Sequence, residues 1–165
     1  MASLFKFSAI AMIAGLYMMA SAQEYPGELE VDPYEVSNTN AGATPITDPA
    51  VFEAFNGVEG IDRIIDDFVD RITTDARIAD IFRASDLVRL RRTLKEQVCY
   101  ILGGPCDYTG RDMVASHMDQ GITTREFYAL VEDLQLAMSA EGVPFAMQNK
   151  LLAKLAPMHG DVVTR

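Results

Sequence analysis

Apolar residues recur along this chain at helical spacing. Ile61, Ile64, Ile65, Phe68 and Ile72 fall at i, i+3, i+4, i+7 and i+11, with Asp and Arg on the opposite face. That spacing puts them on one stripe of a 3.6-residue helix, as in a surface helix packed on a core. A second stripe, Leu87, Leu90, Leu94, Val98 and Ile101, ends at Gly103-Gly104-Pro105, where glycine turns the chain and proline stops the helix. A third, Phe127, Leu130, Val131, Leu134 and Met138, opens with Thr123-Thr124-Arg125-Glu126, a capping-box pattern, and closes at Gly142. The fourth holds Leu151, Leu152, Leu155 and Val162, with Pro157 expected to kink or end it. No segment sustains the period-two alternation of a half-buried strand. The pattern predicts an all-α domain, and periodicity by itself goes no further than a small helical bundle.

The first 49 residues break the pattern. Residues 1–22 carry one charge, Lys6, then an apolar run from Phe7 to Met19, and end in Ala20-Ser21-Ala22, which signal peptidase accepts before Gln23. They read as a secretory signal. A retained anchor is the alternative, weakened by the shortness of the run and the acidic, proline-bearing sequence after it. Export leaves residues 23–165 as the mature chain, with the periplasm as the expected compartment. Residues 23–49 are rich in Glu, Asp, Pro, Asn, Thr and Gly. So few large apolar groups cannot offset the entropy of ordering, and the stretch is expected to be a flexible acidic leader. Residues 50–165 suffice for one domain with one core and show no internal repeat.

Charge narrows the partners. The formal net charge of −10 becomes −11 once Lys6 is removed with the signal. Such an acidic chain is not expected to bind nucleic acid or, after signal removal, a membrane. No paired carboxylates, Ser–His–Asp arrangement or phosphate-cradling glycine loop is evident. Cys99 and Cys106 flank the glycine turn, have no histidine beside them and match no zinc spacing. An oxidising compartment favours a disulfide between them, and two buried thiols are the open alternative. His159 falls at the end of the last stripe and reads as a surface residue.

A set of short blocks carries more specific information. In order they are Phe55-Asn56-Gly57-Val58-Glu59-Gly60-Ile61, residues 66–72 (DDFVDRI), residues 77–82 (RIADIF), Gly103-Gly104-Pro105, Tyr108-Thr109-Gly110-Arg111, His117, Gly121-Ile122-Thr123 and residues 151–158 (LLAKLAPM). Over roughly residues 50–163 these blocks and their spacing resemble the group I truncated haemoglobins. The resemblance implies a two-over-two helical sandwich, residues 61–74 and 86–102 against 124–141 and 146–163, around a haem cofactor. It implies His117 as the protein ligand of the iron, a role that suits neutral imidazole and leaves the opposite axial position open. It also implies an extended loop over residues 104–112 leading into a short helix that aims His117, with Gly57, Gly60, Gly103 and Gly104 permitting tight turns. Phe82 matches an aromatic residue that packs on the porphyrin face. Phe68, Met113, Ile122, Phe127 and Val131 are further candidates for the apolar wall, each equally readable as ordinary core. Arg111, and behind it Arg91 or Arg92, are candidates to pair with a haem propionate.

The distal side departs from the commonest family pattern. Many members carry tyrosine directly after the equivalent of Phe68, and here that place is Val69. Counting back from Gly103-Gly104-Pro105 puts Leu90 and Leu94 where polar residues are frequent. A pocket lined by Val69, Leu90 and Leu94 offers dioxygen no hydrogen-bond donor and should hold carbon monoxide or nitric oxide comparatively well. Thr93, Gln97 or a tyrosine from another helix supplies a donor if the register shifts by one. The resemblance therefore implies a haem protein that reversibly binds O2, CO and NO. The alternative is a haem-dependent redox enzyme, a nitric oxide dioxygenase or peroxidase-like, served by an electron donor that the sequence does not identify. A haem-free helical interaction module is the third reading.

Overall fold

The computed structural model describes residues 25–29 and 35–165, and the expected signal, residues 1–22, lies outside them. Among the described residues every regular element is helical. The first full helix, α1 (Pro49–Ala54), has proline at its start, and the Asp48 carboxylate caps it by accepting from the Ala50 N–H. Next come α2 (Gly57–Thr74), a 3-10 turn (Ala79–Phe82) and α3 (Leu87–Ile101), whose first N–H groups donate to Asp86. Two further helices are α4 (Met113–His117) and α5 (Thr124–Ala140), the latter with both halves of the capping box formed by Thr123 and Glu126. The stripe that Pro157 interrupts is split into α6 (Phe145–Leu155), a 3-10 turn (Ala156–Met158) and α7 (His159–Val162).

α2 is the central element. Ile61, Ile64, Ile65, Phe68 and Ile72 are buried along it, and it packs on α3 and on α5. Each such side chain contributes about 1.5–3 kcal/mol by leaving water. α5 in turn contacts α6, and α4 rests on α7. The pair α2/α3 thus lies over the pair α5/α6, the expected two-over-two arrangement. The other stripes divide by face. Val98, Ile101, Leu134 and Met138 are buried, whereas Leu90, Leu94, Phe127, Leu130 and Val131 are only half-buried. Leu87, assigned to the second stripe, is 37% exposed.

The turn after α3 needs its two glycines. Gly103 has φ +79°, and a Cβ there would sit 2.3 Å from the Ile46 carbonyl oxygen. A Cβ on Gly104 would come within 2.4 Å of Phe52 and 2.7 Å of Cys99 Sγ. Cys99 and Cys106 form a disulfide across this turn, with Cα atoms 5.8 Å apart.

The leader departs from expectation over its described residues. Residues 38–41 form a 3-10 turn, and Ala41 is fully buried. The Ser37 N–H donates to the Tyr108 carbonyl at 2.8 Å, and the Ile46 N–H donates to the Ile101 carbonyl at 2.8 Å. The Asn38 side chain donates to Asp107 and accepts from the Tyr108 N–H. Upstream, the Leu29 N–H donates to Asp86, and Glu28 pairs with Arg92. Composition describes only the leader's own poverty in apolar groups. Docking on α3 and on the loop over residues 107–110 gives its backbone the hydrogen-bond partners and burial that it could not supply itself.

Candidate functional site

The half-buried residues of α3 and α5 face a cavity of about 350 Å³ rather than another helix. α2 contributes Ile65, Phe68 and Ile72, and the following 3-10 turn contributes Ile81 and Phe82. α3 supplies Leu90, Thr93, Leu94 and Gln97; α5 supplies Phe127, Leu130, Val131 and Leu134. Met113, His117 and Ile122 come from α4 and the segment after it, and Leu152, Leu155 and Met158 from the chain end. A largely apolar chamber with few polar groups is the usual form of a cofactor site.

His117 is the imidazole in that wall. α4 begins where the Asp112 carboxylate accepts from the Ala115 N–H at 2.8 Å, and one turn later it presents His117. His117 Nδ1 lies 2.7 Å from the Met113 carbonyl oxygen. A carbonyl can only accept, so Nδ1 carries the hydrogen and the neutral ring keeps its lone pair on Nε2. A metal-ligating histidine is oriented in this way, one nitrogen fixed by the protein and the other left to coordinate.

Several polar groups around the cavity direct hydrogens into the protein. Thr93 Oγ1 donates back to the Arg89 carbonyl at 3.0 Å. Gln97 Nε2 donates to the Ala41 carbonyl at 2.9 Å. Tyr108 Oη donates to the Arg111 carbonyl at 2.9 Å, and burial, helped by the charge of Glu96, pushes its pKa up to about 12. Gln120 donates to the Ser116 carbonyl. Glu126 accepts from the Thr123 hydroxyl and N–H, which hold its carboxyl below the usual range.

Of the residues singled out in the sequence, Phe68, Phe82, Leu90, Leu94, Met113, His117, Ile122, Phe127 and Val131 all line this one cavity. Val69 does not: it is fully buried in the core and contributes nothing to the wall. Arg111 is exposed and outside the lining. Arg91 is engaged by Asp66 and Asp70, and Arg92 by Glu28 and Glu96. His159 stacks edge-on against Phe127, ring centroids 4.8 Å apart, and is also outside the lining. The sequence reading assigned no wall role to Ile65, Ile72, Tyr108 or Met158, and kept Thr93 and Gln97 only for a shifted register. The signal for the last two was present: Leu90, Thr93, Leu94 and Gln97 follow i, i+3, i+4, i+7, one helix face with polar interruptions.

Comparison with known proteins matches residues 50–164 to the bacterial-like globin family. Group 1 truncated hemoglobin GlbN of Synechocystis is 30% identical over 114 residues, covering 67% of this chain and 89% of that protein. Its counterpart in Mycolicibacterium paratuberculosis is 29% identical over 115 residues, covering 70% of this chain and 85% of that one. Among solved structures, truncated hemoglobin from Tetrahymena pyriformis in its Fe(III) form superposes with a TM-score of 0.67 at 21% identity. That superposition covers 70% of this chain and 98% of the other, a likeness of fold.

Proposed function

The chain belongs to the bacterial-like globin family and, within it, to the group I truncated haemoglobins, and from that membership we propose that its haem lies in the apolar cavity with Nε2 of His117 as its protein ligand. The observation that carries this reading is the 2.7 Å contact from His117 Nδ1 to the Met113 carbonyl. It fixes the tautomer and ring orientation of the imidazole in the wall and leaves its other nitrogen to coordinate. Haem bound there would supply an iron able to take small diatomic gases. Phe82, Phe127 and Leu130 supply apolar surface to the porphyrin, and Arg111, exposed just before α4 and in no ion pair among the described residues, is a cation available for a propionate.

Reversible gas binding is favoured over turnover. Leu90 and Leu94 face the cavity, and Thr93, Gln97 and Tyr108 spend their hydrogens on carbonyls. Nitric oxide dioxygenation or peroxidase-like chemistry draws on donors aimed at the developing charge, and this wall supports such chemistry poorly. We further infer that the globin is exported. The Ala20-Ser21-Ala22 ending and the disulfide both support an oxidising destination.

The test is spectroscopic. The purified wild-type protein should show ferrous haem bands that shift when carbon monoxide is added, and His117→Ala should lose the stable five-coordinate ferrous state. A variant that kept wild-type ferrous and carbon monoxide spectra would sink the assignment of His117.

A further inference from the structure

Gln97 stands apart among the polar groups of the cavity wall. Thr93 and Tyr108 bond carbonyls close in sequence, but Gln97 bonds one that is 56 residues away, on Ala41 of the leader. Its amide nitrogen also lies 3.7 Å from Met113 Sδ, so both of its N–H groups have an acceptor. Ala41 lies outside the stretch, residues 50–164, that matches the family. The leader is fitted closely here. Gly42 has φ +81°, and a Cβ on it would come within 2.7 Å of Met158 Cε and 3.3 Å of Met113 Cγ, two side chains of the same wall. Hydrogen bonds to Tyr108 and Ile101 anchor the leader on either side of this point.

We propose that the leader sets the gas preference of the pocket: the Ala41 carbonyl holds the Gln97 amide so that it cannot donate to a bound gas. The proposal rests on the haem reading above and deepens it. An amide whose N–H groups are both engaged has only its carbonyl oxygen left to offer. That oxygen repels the partial negative charge of bound dioxygen and affects the less polar carbon monoxide little. The leader thereby makes the pocket poorer in donors than its residue types imply. Displacing it returns a donor worth about fivefold in dioxygen retention.

The experiment uses the full chain loaded with haem, with gas release followed by stopped flow and flash photolysis. Gly42→Val, whose β-branched side chain is strained at the φ of +81° found there, should shift Ala41 off Gln97. It should slow dioxygen release about fivefold, change carbon monoxide release less than about twofold, and lower the C–O stretching frequency. Adding Gln97→Met to Gly42→Val should bring the slowing down to the modest level of Gln97→Met alone. By itself, Gln97→Met removes the repelling oxygen and should slow dioxygen release modestly. Faster release in that single variant would mean that the amide already donates, and slowing in the double variant well beyond that of Gln97→Met alone would assign the donor elsewhere. Either result overturns the proposal.

If Gly42→Val does not fold, Asn38→Ala loosens the leader from the loop over residues 107–110 and should act in the same direction more weakly. In the haem-free chain, Gln97→Met strands the buried Ala41 carbonyl and should lower the unfolding midpoint by about 4 °C. An unchanged midpoint refutes the hold whether or not haem binds. A preparation that takes up no haem would instead fail the function proposed above and leave this measurement standing.

Discussion

At the scale of single residues, Val69 departs most from expectation, while its neighbour Phe68 lies where it was expected. Both are buried, but only Phe68 reaches the cavity. Adjacent positions on a helix point about 100° apart, so a family pattern read one place along names a different wall. Val69→Tyr should therefore overpack the core and cost about 1–3 kcal/mol, seen as a lower unfolding midpoint, instead of adding a donor to the pocket. Leu94, which does line the cavity, is the position from which a donor can reach a gas. Leu94→Gln should slow dioxygen dissociation by roughly tenfold, the equivalent of a hydrogen bond of about 1.4 kcal/mol, and change carbon monoxide dissociation much less. Equal effects on both gases in stopped-flow measurements would mean that the substitution acts sterically.

At the scale of elements, local chemistry explains where helices begin, and a cross-link explains how the end of α3 is held. The capping box at the start of α5 satisfies N–H groups that the helix itself cannot. Thr123→Ala should cost about 1 kcal/mol in a denaturation curve. The Cys99–Cys106 disulfide joins the end of α3 to the residue just beyond its turn. Closing so short a loop contributes about 2.5 kcal/mol on the chain-entropy account. Reduction, or the paired change Cys99→Ser and Cys106→Ser, should lower the stability of the haem-free protein by about that amount. Because α3 carries Leu90, Thr93, Leu94 and Gln97, the same change should speed haem loss. Haem transfer to an acceptor globin, timed with and without reductant, reads this directly.

Over the whole molecule, one contact between α5 and the end of α2 makes stability depend on pH. Asp133 is buried on α5, and its Oδ2 has no hydrogen-bond partner among the described residues. Burial first, and then the charge of Asp75, pushes its carboxyl above the ordinary range. Asp75 is held below that range by the Arg77 side chain and N–H. The signs are opposite. The Asp133 contribution is present in acid and is lost as pH rises through its raised value, whereas the Asp75 contribution is present at neutral pH and is lost as pH falls through its depressed value. Asp133→Asn should consequently raise the unfolding midpoint at pH 7 and change it little near pH 4. A gain independent of pH in calorimetric scans would point to packing instead of charge. The export reading also belongs to this scale: mass spectrometry of the native protein should show a chain that begins at Gln23, and intact residues 1–22 would replace export with anchoring.

The features set by near neighbours in the chain were legible without a structure. The apolar stripes of α2 and α5, the cap at Thr123 and the break at Pro157 follow from periodicity, capping and turn chemistry within a few residues, whereas the short helix bearing His117 came only from the family resemblance. The order of the short blocks added the family and its haem. Tertiary structure decided which face of each stripe became core and which became cavity wall, and so separated Ile101 from Leu94 and Val69 from Phe68. It paired Arg91 and Arg92 with carboxylates on other elements, and it docked Ala41 on Gln97 across 56 residues. Periodicity gives a helix its apolar side but not the partner that side will meet. Whether a leader poor in apolar groups orders depends on surface lent by the rest of the chain, and that surface exists only once the helices have packed.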